Sequence, residues 1–203
     1  MADEQIKERR DSYHHGDLRG ALIRATRQLI EEKGRDHFSV SDACRLAGVS
    51  TAAPYKHFKS KEEMVTAAVV DAMDRHQSGL LEDLSHHKKG TRQRITAMGR
   101  NYVTFALSEP GMFQLRFQKS DEGAPPAEIE QNGADVYGLV QEEVRAALGE
   151  PEINERVIER SYLLWCFVHG LSYLSMVPEL ANKAPSGSLD DLLASIADRV
   201  LAA

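Results

Sequence analysis

The side chains best suited to meet another molecule are gathered in one short stretch, STAAPYKHFKSK, residues 50–61. Thr51, Tyr55, Lys56 and His57 can donate hydrogen bonds to phosphate oxygens or base edges. Ala52 and Ala53 are small enough for a groove to approach closely, and an alanine methyl packs on the methyl of thymine. Lys59 and Lys61 flank the start of the next helix, whose unpaired N–H groups already favour an anion. Phe58 is the expected anchor beneath them. The chemistry on offer is recognition of a DNA duplex, although spacing alone equally describes a small helical hairpin with a solvated, charged end.

Other chemistries lack their parts. There is no G-x-S-x-G, no glycine-rich phosphate loop and no convincing triad, so neither catalysis nor a cofactor is expected. His14 with His15, and His86 with His87, are adjacent pairs whose rings diverge, and no HExxH or carboxylate partner accompanies them or His76. No metal site is expected; His14 and His15 read as an arm, of the kind that reaches a minor groove. Cys44 and Cys166 are far apart and read as packed thiols of a reducing cytoplasm.

The elements that must hold the DNA-like stretch read as helices throughout. Leu18, Leu22, Ala25 and Leu29 recur every three or four residues behind an Asp17 cap, with Gly34 as the stop. A short helix follows, capped by Ser39 or Ser41, with Ala43, Leu46 and Ala47 inward. Gly48 and Val49 then make the tight turn of a helix-turn-helix. Pro54 is the awkward residue, because a proline removes a helical hydrogen bond. With Thr51 as N-cap it falls in the first turn, where the N–H is spare; with Ser50 as cap the helix start is distorted. The first arrangement, or a loosened first turn, is the expected one. Ser60 and Glu63 form a capping box for a long helix over 61–85.

Beyond residue 85 the periodicity predicts further helices near 94–109, 112–118, 128–148, 153–176 and 188–202, with a loop at 119–126. No run alternates with period two, so the fold class expected is all-α, about nine helices. The chain has 203 residues, 42% hydrophobic and 28% charged, and a net charge of −6. Residues 1–61 hold 12 Lys and Arg against 9 Asp and Glu, while residues 62–203 hold 13 against 22, so the positive excess lies with the DNA-like stretch. The polar start MADEQIKERR carries no secretory signal, and the apolar run 161–177 is too short to span a bilayer.

Residues 13–70, from YHHGDLRGALIRATRQLIEEKG through FSVSDACRLAGVSTAAPYKHFKSKEEMVTAAV, resemble the TetR/AcrR family of bacterial transcriptional regulators. The GVS turn, Tyr55, the His57–Phe58 pair and the KSKEEM helix start all stand at family spacing. WCFVHG, with Trp165, His169 and Gly170, and FALSEPGMFQLRF over 105–117 resemble a subgroup with a Trp-His-Gly signature. The resemblance implies a DNA-binding head at 13–61 and a ligand-binding and dimerisation domain at 62–203, with the helix 61–85 connecting them. It implies a recognition helix from Thr51 to His57, DNA contacts from Thr51, Ala52, Tyr55, Lys56 and His57, and phosphate contacts from Ser41 and Lys61. The chain departs from the pattern in having a weakly basic head, and threonine at 51 where many relatives carry lysine or arginine.

On that basis the expected protein is a cytoplasmic homodimeric repressor that binds a near-palindromic operator and releases it to an apolar or amphipathic inducer. The residues expected to line the inducer pocket are Asn101, Tyr102, Phe105, Phe113, Gln114, Phe117, Trp165 and His169. The dimer is expected to pair the helix of Trp165 with that of Leu192, Leu193 and Ile196. The alternative is an architectural DNA binder, in which the same aromatics fill the core. A cavity of about 300 Å³ or more distinguishes the two.

Overall fold

In a computed structural model, residues 17–118, 126–183 and 185–202 are described, and among them every regular element is helical. The arm with His14 and His15 and most of the expected loop at 119–126 lie outside the described residues. The chain forms two compact units, 1–71 and 72–203. The expected boundary at 61/62 is therefore moved along the chain. The first turns of the long helix belong with the N-terminal unit, where Met64, Val65, Ala68 and Val69 are buried.

In the N-terminal unit, α1 (Leu18–Lys33) begins at Asp17, whose carboxylate accepts the Gly20 N–H, and stops at Gly34 with a positive φ of 84°. The next helix, α2 (Val40–Ala47), starts with a reciprocal capping box between Ser39 and Asp42, so Ser39 and not Ser41 is the cap. It ends in a Schellman arrangement: the Val49 N–H reaches the Cys44 carbonyl, and Gly48 takes the left-handed conformation that a side chain resists. Ala43 and Cys44 face inward, but Leu46 is 44% exposed, against expectation. The long helix α3 (Lys61–Ser85) follows. Ser60 accepts the Glu63 N–H, while the Glu63 carboxylate takes the N–H of Lys59.

In the second unit, α4 (Arg92–Ser108) is the central helix, flanked by α5 (Pro110–Phe117), α6 (Ala127–Leu148), α7 (Glu155–Met176) and α9 (Leu189–Leu201); α8 (Pro178–Ala181) is one short turn. Thr91, Asn154 and Ser188 cap α4, α7 and α9. Pro110 ends α4 and opens α5 at once, because its missing N–H costs nothing in a first helical turn. Leu80 and Leu84 of α3 join Ile95, Val144, Val157 and Ala197 in one core. The two cysteines differ: Cys44 is buried, whereas Cys166 is exposed.

One polar contact is sunk in this core. Glu143 of α6 is buried, and Arg94 of α4 lies 2.8 Å from it through Nε. That N–H is not aimed along the contact, so the attraction is ionic more than a hydrogen bond. Arg94 Nη1 also donates to the carbonyls of Leu84 at 2.6 Å and His87 at 2.9 Å, which secures the end of α3. Gly90, with φ of 72°, turns the loop so closely against α6 that a Cβ would meet the Ala146 carbonyl at 2.8 Å. Removing one partner of a buried ion pair strands the other. Glu143→Ala should therefore cost about 3–5 kcal/mol in denaturant unfolding, and replacing both partners, Glu143→Leu with Arg94→Met, should recover most of it. A loss below about 1 kcal/mol for the single variant would contradict this reading.

Candidate functional site

Residues 50–57 do not form the expected α-helix. Thr51–Ala53 make a turn, and Pro54–Lys56 a single turn of 3₁₀ helix. The reason is Pro54. An α-helix would have residue 54 donate to the Ser50 carbonyl, but proline has no N–H, and the Ala53 N–H takes that carbonyl instead at 3.0 Å. Thr51 is thus not the N-cap of an α-helix; the distorted start expected with Ser50 as the cap is the one observed. The turn closes with the His57 and Phe58 N–H groups on the Pro54 carbonyl, at 2.8 and 2.9 Å.

This turn has an inside and an outside. Pro54 and Phe58 are buried, and Phe58 lies under the Arg19 guanidinium at 5.4 Å. Thr51, Ala52, Lys56 and His57 are exposed, and the Tyr55 ring is 67% exposed. Ser41 is exposed in the first turn of α2. Lys61 is half-buried at the start of α3, its ammonium 4.3 Å from the centre of the Phe38 ring. What the surface offers is an exposed projection of hydroxyl, ammonium and imidazole groups.

A second candidate site lies wholly within the C-terminal unit. It is a cavity of about 350 Å³, enclosed mainly by apolar side chains of α4, α6, α7 and α9. Three of the expected residues line it: Tyr102, Phe117 and Trp165. The other five do not. Phe113 is fully buried and packs edge-on against Tyr102, Phe105 and Phe117, so Phe105 and Phe113 are core aromatics. Gln114 is exposed, and Asn101 is turned towards Gly79 of α3. His169 is tied into a hydrogen-bond chain. The Trp165 indole N–H donates to the Tyr102 hydroxyl at 3.3 Å, and that hydroxyl lies 2.8 Å from His169 Nδ1. Burial pushes the tyrosine up to about 12 and, with the Arg116 charge, pulls His169 below the usual histidine range. A neutral ring accepting at Nδ1 from the phenol follows.

The residues missed on the cavity wall are chiefly those of α6: Ile129, Gly133, Val136, Tyr137 and Val140. Their spacing of three and four, which puts them on one face of α6, is the signal in the sequence that marks this wall. Arg116 of α5, and Met98, Gly99, Leu164, Val168 and Ile196 of the other helices, also line it without having been expected to.

Three contacts hold α3 to the helices that wall the cavity. Arg75 makes a bidentate pair with Glu109 at 2.8 and 3.0 Å, Asn132 of α6 donates to Asp74 at 2.9 Å, and His76 stacks on Phe105 with ring centres 4.6 Å apart. Burial, reinforced by Arg116 and opposed by Glu109, lowers His76 to about 4. Its folded value lies below the unfolded 6.5, so the unfolded chain takes up the proton first as pH falls. The stability His76 contributes is complete above pH 6.5 and lost towards pH 4. His76→Phe keeps the stack and should remove up to roughly 3 kcal/mol of that pH dependence, seen as converging unfolding curves at acid pH. Identical pH profiles for the two proteins would contradict a buried neutral His76.

Residues 22–68 match the model for bacterial regulatory proteins of the tetR family, and residues 95–200 match the tetracyclin repressor-like C-terminal domain. No curated protein sequence matches the chain. Among solved structures, a protein of unknown function from Rhodococcus sp. RHA1 is similar at a TM-score of 0.75 and 23% identity, covering 93% of this chain and 96% of that one. A TetR/AcrR regulator from Thermobifida fusca is similar at 0.64 and 20%, covering 92% and 98%. The transcriptional regulator FadR from Bacillus subtilis, solved with stearoyl-CoA, is similar at 0.65 and 14%, covering 90% and 97%. At these identities the likenesses speak for the fold, while the two matched segments take in both units: the chain belongs to the TetR family of bacterial regulatory proteins.

Proposed function

We propose that this DNA-binding regulator is a ligand-responsive repressor that binds a near-palindromic operator as a homodimer. The observation that carries the reading is the cavity of about 350 Å³, within the range of small-molecule pockets. An architectural binder has no use for such a volume, and a filled core is the outcome that reading requires. The solved FadR from Bacillus subtilis holds stearoyl-CoA, which supports an amphipathic ligand here. That the matched family is one of bacterial regulatory proteins supports a non-catalytic role, and action on the chromosome is in keeping with a cytoplasmic protein.

DNA contact is assigned to Thr51, Ala52, Tyr55, Lys56 and His57, with Ser41 and Lys61 on phosphates. A dimer presents two such turns to successive major grooves, roughly 34 Å apart. Its interface is assigned to the outer face of α7, where Ile158, Tyr162, Leu163, Tyr173 and Leu174 are exposed. The contribution expected from α9 is reduced. Leu193 is only 2% exposed within the subunit, and Ile196 lines the cavity, which leaves Leu192. Ligand binding would favour a conformer in which α3 tilts, because its contacts at Asp74, Arg75 and His76 engage the helices around the cavity.

Gel shifts on the intergenic DNA beside the gene, and on random duplex, test these assignments together. Lys61→Ala should weaken both duplexes alike and lower the salt dependence, as loss of a phosphate contact does. Thr51→Ala or Tyr55→Ala should cost roughly 1–3 kcal/mol on the specific site, with altered preference. Leu174→Glu should sediment as a monomer and lose specific binding. Unchanged binding in all three head variants would overturn the DNA assignment, and a monomeric wild type at micromolar concentration the dimer.

A further inference from the structure

The cavity wall carries two charged residues, Arg116 and Glu130, and the first is the one its apolar surroundings do not explain. Arg116 reaches from α5 across to α6, where its Nη2 lies 3.5 Å from the place a Cβ would take on Gly133. Its guanidinium sits over the edge of the cavity above the Phe117 ring, 5.3 Å from the ring centre. Among the described residues it has no hydrogen-bond or ion-pair partner. Glu130, which also lines the cavity, is exposed and does not pair with it. Burial disfavours its charge, and among the described residues Tyr102 opposes that effect. Two other arginines of the helices around the cavity are paired across helices: Arg94 with Glu143 and Arg100 with Asp190.

An arginine cannot escape burial by losing its proton, so an unpaired guanidinium facing an apolar cavity is a standing cost. A carboxylate delivered by a ligand would remove that cost with two parallel charge-assisted hydrogen bonds. The remaining wall, with Met98, Val136, Tyr137, Leu164 and Val168, suits a hydrocarbon or flat ring system. The volume accommodates on the order of ten to twenty heavy atoms.

We infer that the ligand is an acidic amphiphile, with a carboxylate bound by Arg116 and an apolar body in the cavity between α4, α6 and α7. One guanidinium matches one negative charge, and Glu130 on the same wall disfavours a dianionic phosphate head. This rests on the ligand-responsive reading and specifies the chemistry of its site. Gly133 has a part in it, since a side chain there would stand against the guanidinium.

The test uses decanoate, 1-decanol and decyl phosphate as probes on the full-length dimer, with affinity read by calorimetry and DNA release by gel shift. Decanoate should bind about ten- to hundred-fold more tightly than 1-decanol. Arg116→Met should abolish that ratio by weakening decanoate far more than 1-decanol, while Arg116→Lys retains part of it. Arg116→Met should also melt near or above the wild-type temperature, because the half-buried guanidinium it removes has no hydrogen-bond or ion-pair partner among the described residues. Equal affinity for acid and alcohol in the wild type, a ratio that survives Arg116→Met, or a sharp drop in melting temperature would overturn the inference. If the alcohol binds and releases DNA as well as the acid, the anionic head falls while the ligand-responsive reading stands. If no probe binds, both fall. Tighter binding of decyl phosphate than of decanoate would overturn the carboxylate assignment.

Discussion

The buried pair of Arg94 and Glu143 sets the geometry from which the C-terminal unit follows. A single guanidinium takes the last carbonyls of α3 and the carboxylate of α6 from its place on α4. Its effect is to fix where α6 lies relative to α4, and both of those helices wall the cavity. Hydrophobic contact is non-directional and would tolerate several registers of α6. A buried charge tolerates only those in which its partner is met, which is how such a pair confers specificity when it adds little net stability.

With α6 so placed, small residues leave the volume. Gly99 of α4 has no room for a side chain, because a Cβ would approach Leu193 of α9 to 2.8 Å, so α4 and α9 close tightly on that side. Phe113 is fully buried among Tyr102, Phe105 and Phe117 and packs behind the cavity lining residues Tyr102 and Phe117. The space that remains is framed by one dense aromatic cluster and one close helix crossing. The helices on the filled side are also those held by Asp74, Arg75 and His76 of α3. A molecule entering the cavity therefore works against well-packed groups and not against a soft wall.

Most of this architecture is legible in the amino-acid sequence, because local rules and tertiary packing agree in nearly every helix. Asp17, Ser39, Asn154 and Ser188 are capping residues that cap, and Gly34, Gly48 and Gly149 are stops that stop. Residues 50–57 depart from expectation where two local rules compete. The spare N–H of a first turn tolerates proline, but Ser50 began the turn one residue earlier than that rule needed, and 3₁₀ hydrogen bonding resulted. The cavity was located in the right unit and only partly in its wall. Residue type distinguishes an aromatic from an aliphatic side chain, but not a ring that fills space from one that borders it. Phe113 and Phe117 are four residues apart on one short helix and differ in just that respect. Arg116 between them reads from sequence as a solvated surface charge, and only its position above the cavity sets it apart.

The central claim is that ligand and DNA bind to alternative states of one protein, and that claim has a thermodynamic signature independent of any one residue. If a ligand weakens operator affinity by some factor, the operator must weaken ligand affinity by the same factor. Titrating decanoate into free protein and into the saturated protein–operator complex measures both arms of that cycle. The account predicts weaker ligand binding in the complex, by about five- to hundred-fold and equal to the loss of operator affinity at saturating ligand. Ligand that binds free and operator-bound protein equally well would contradict it.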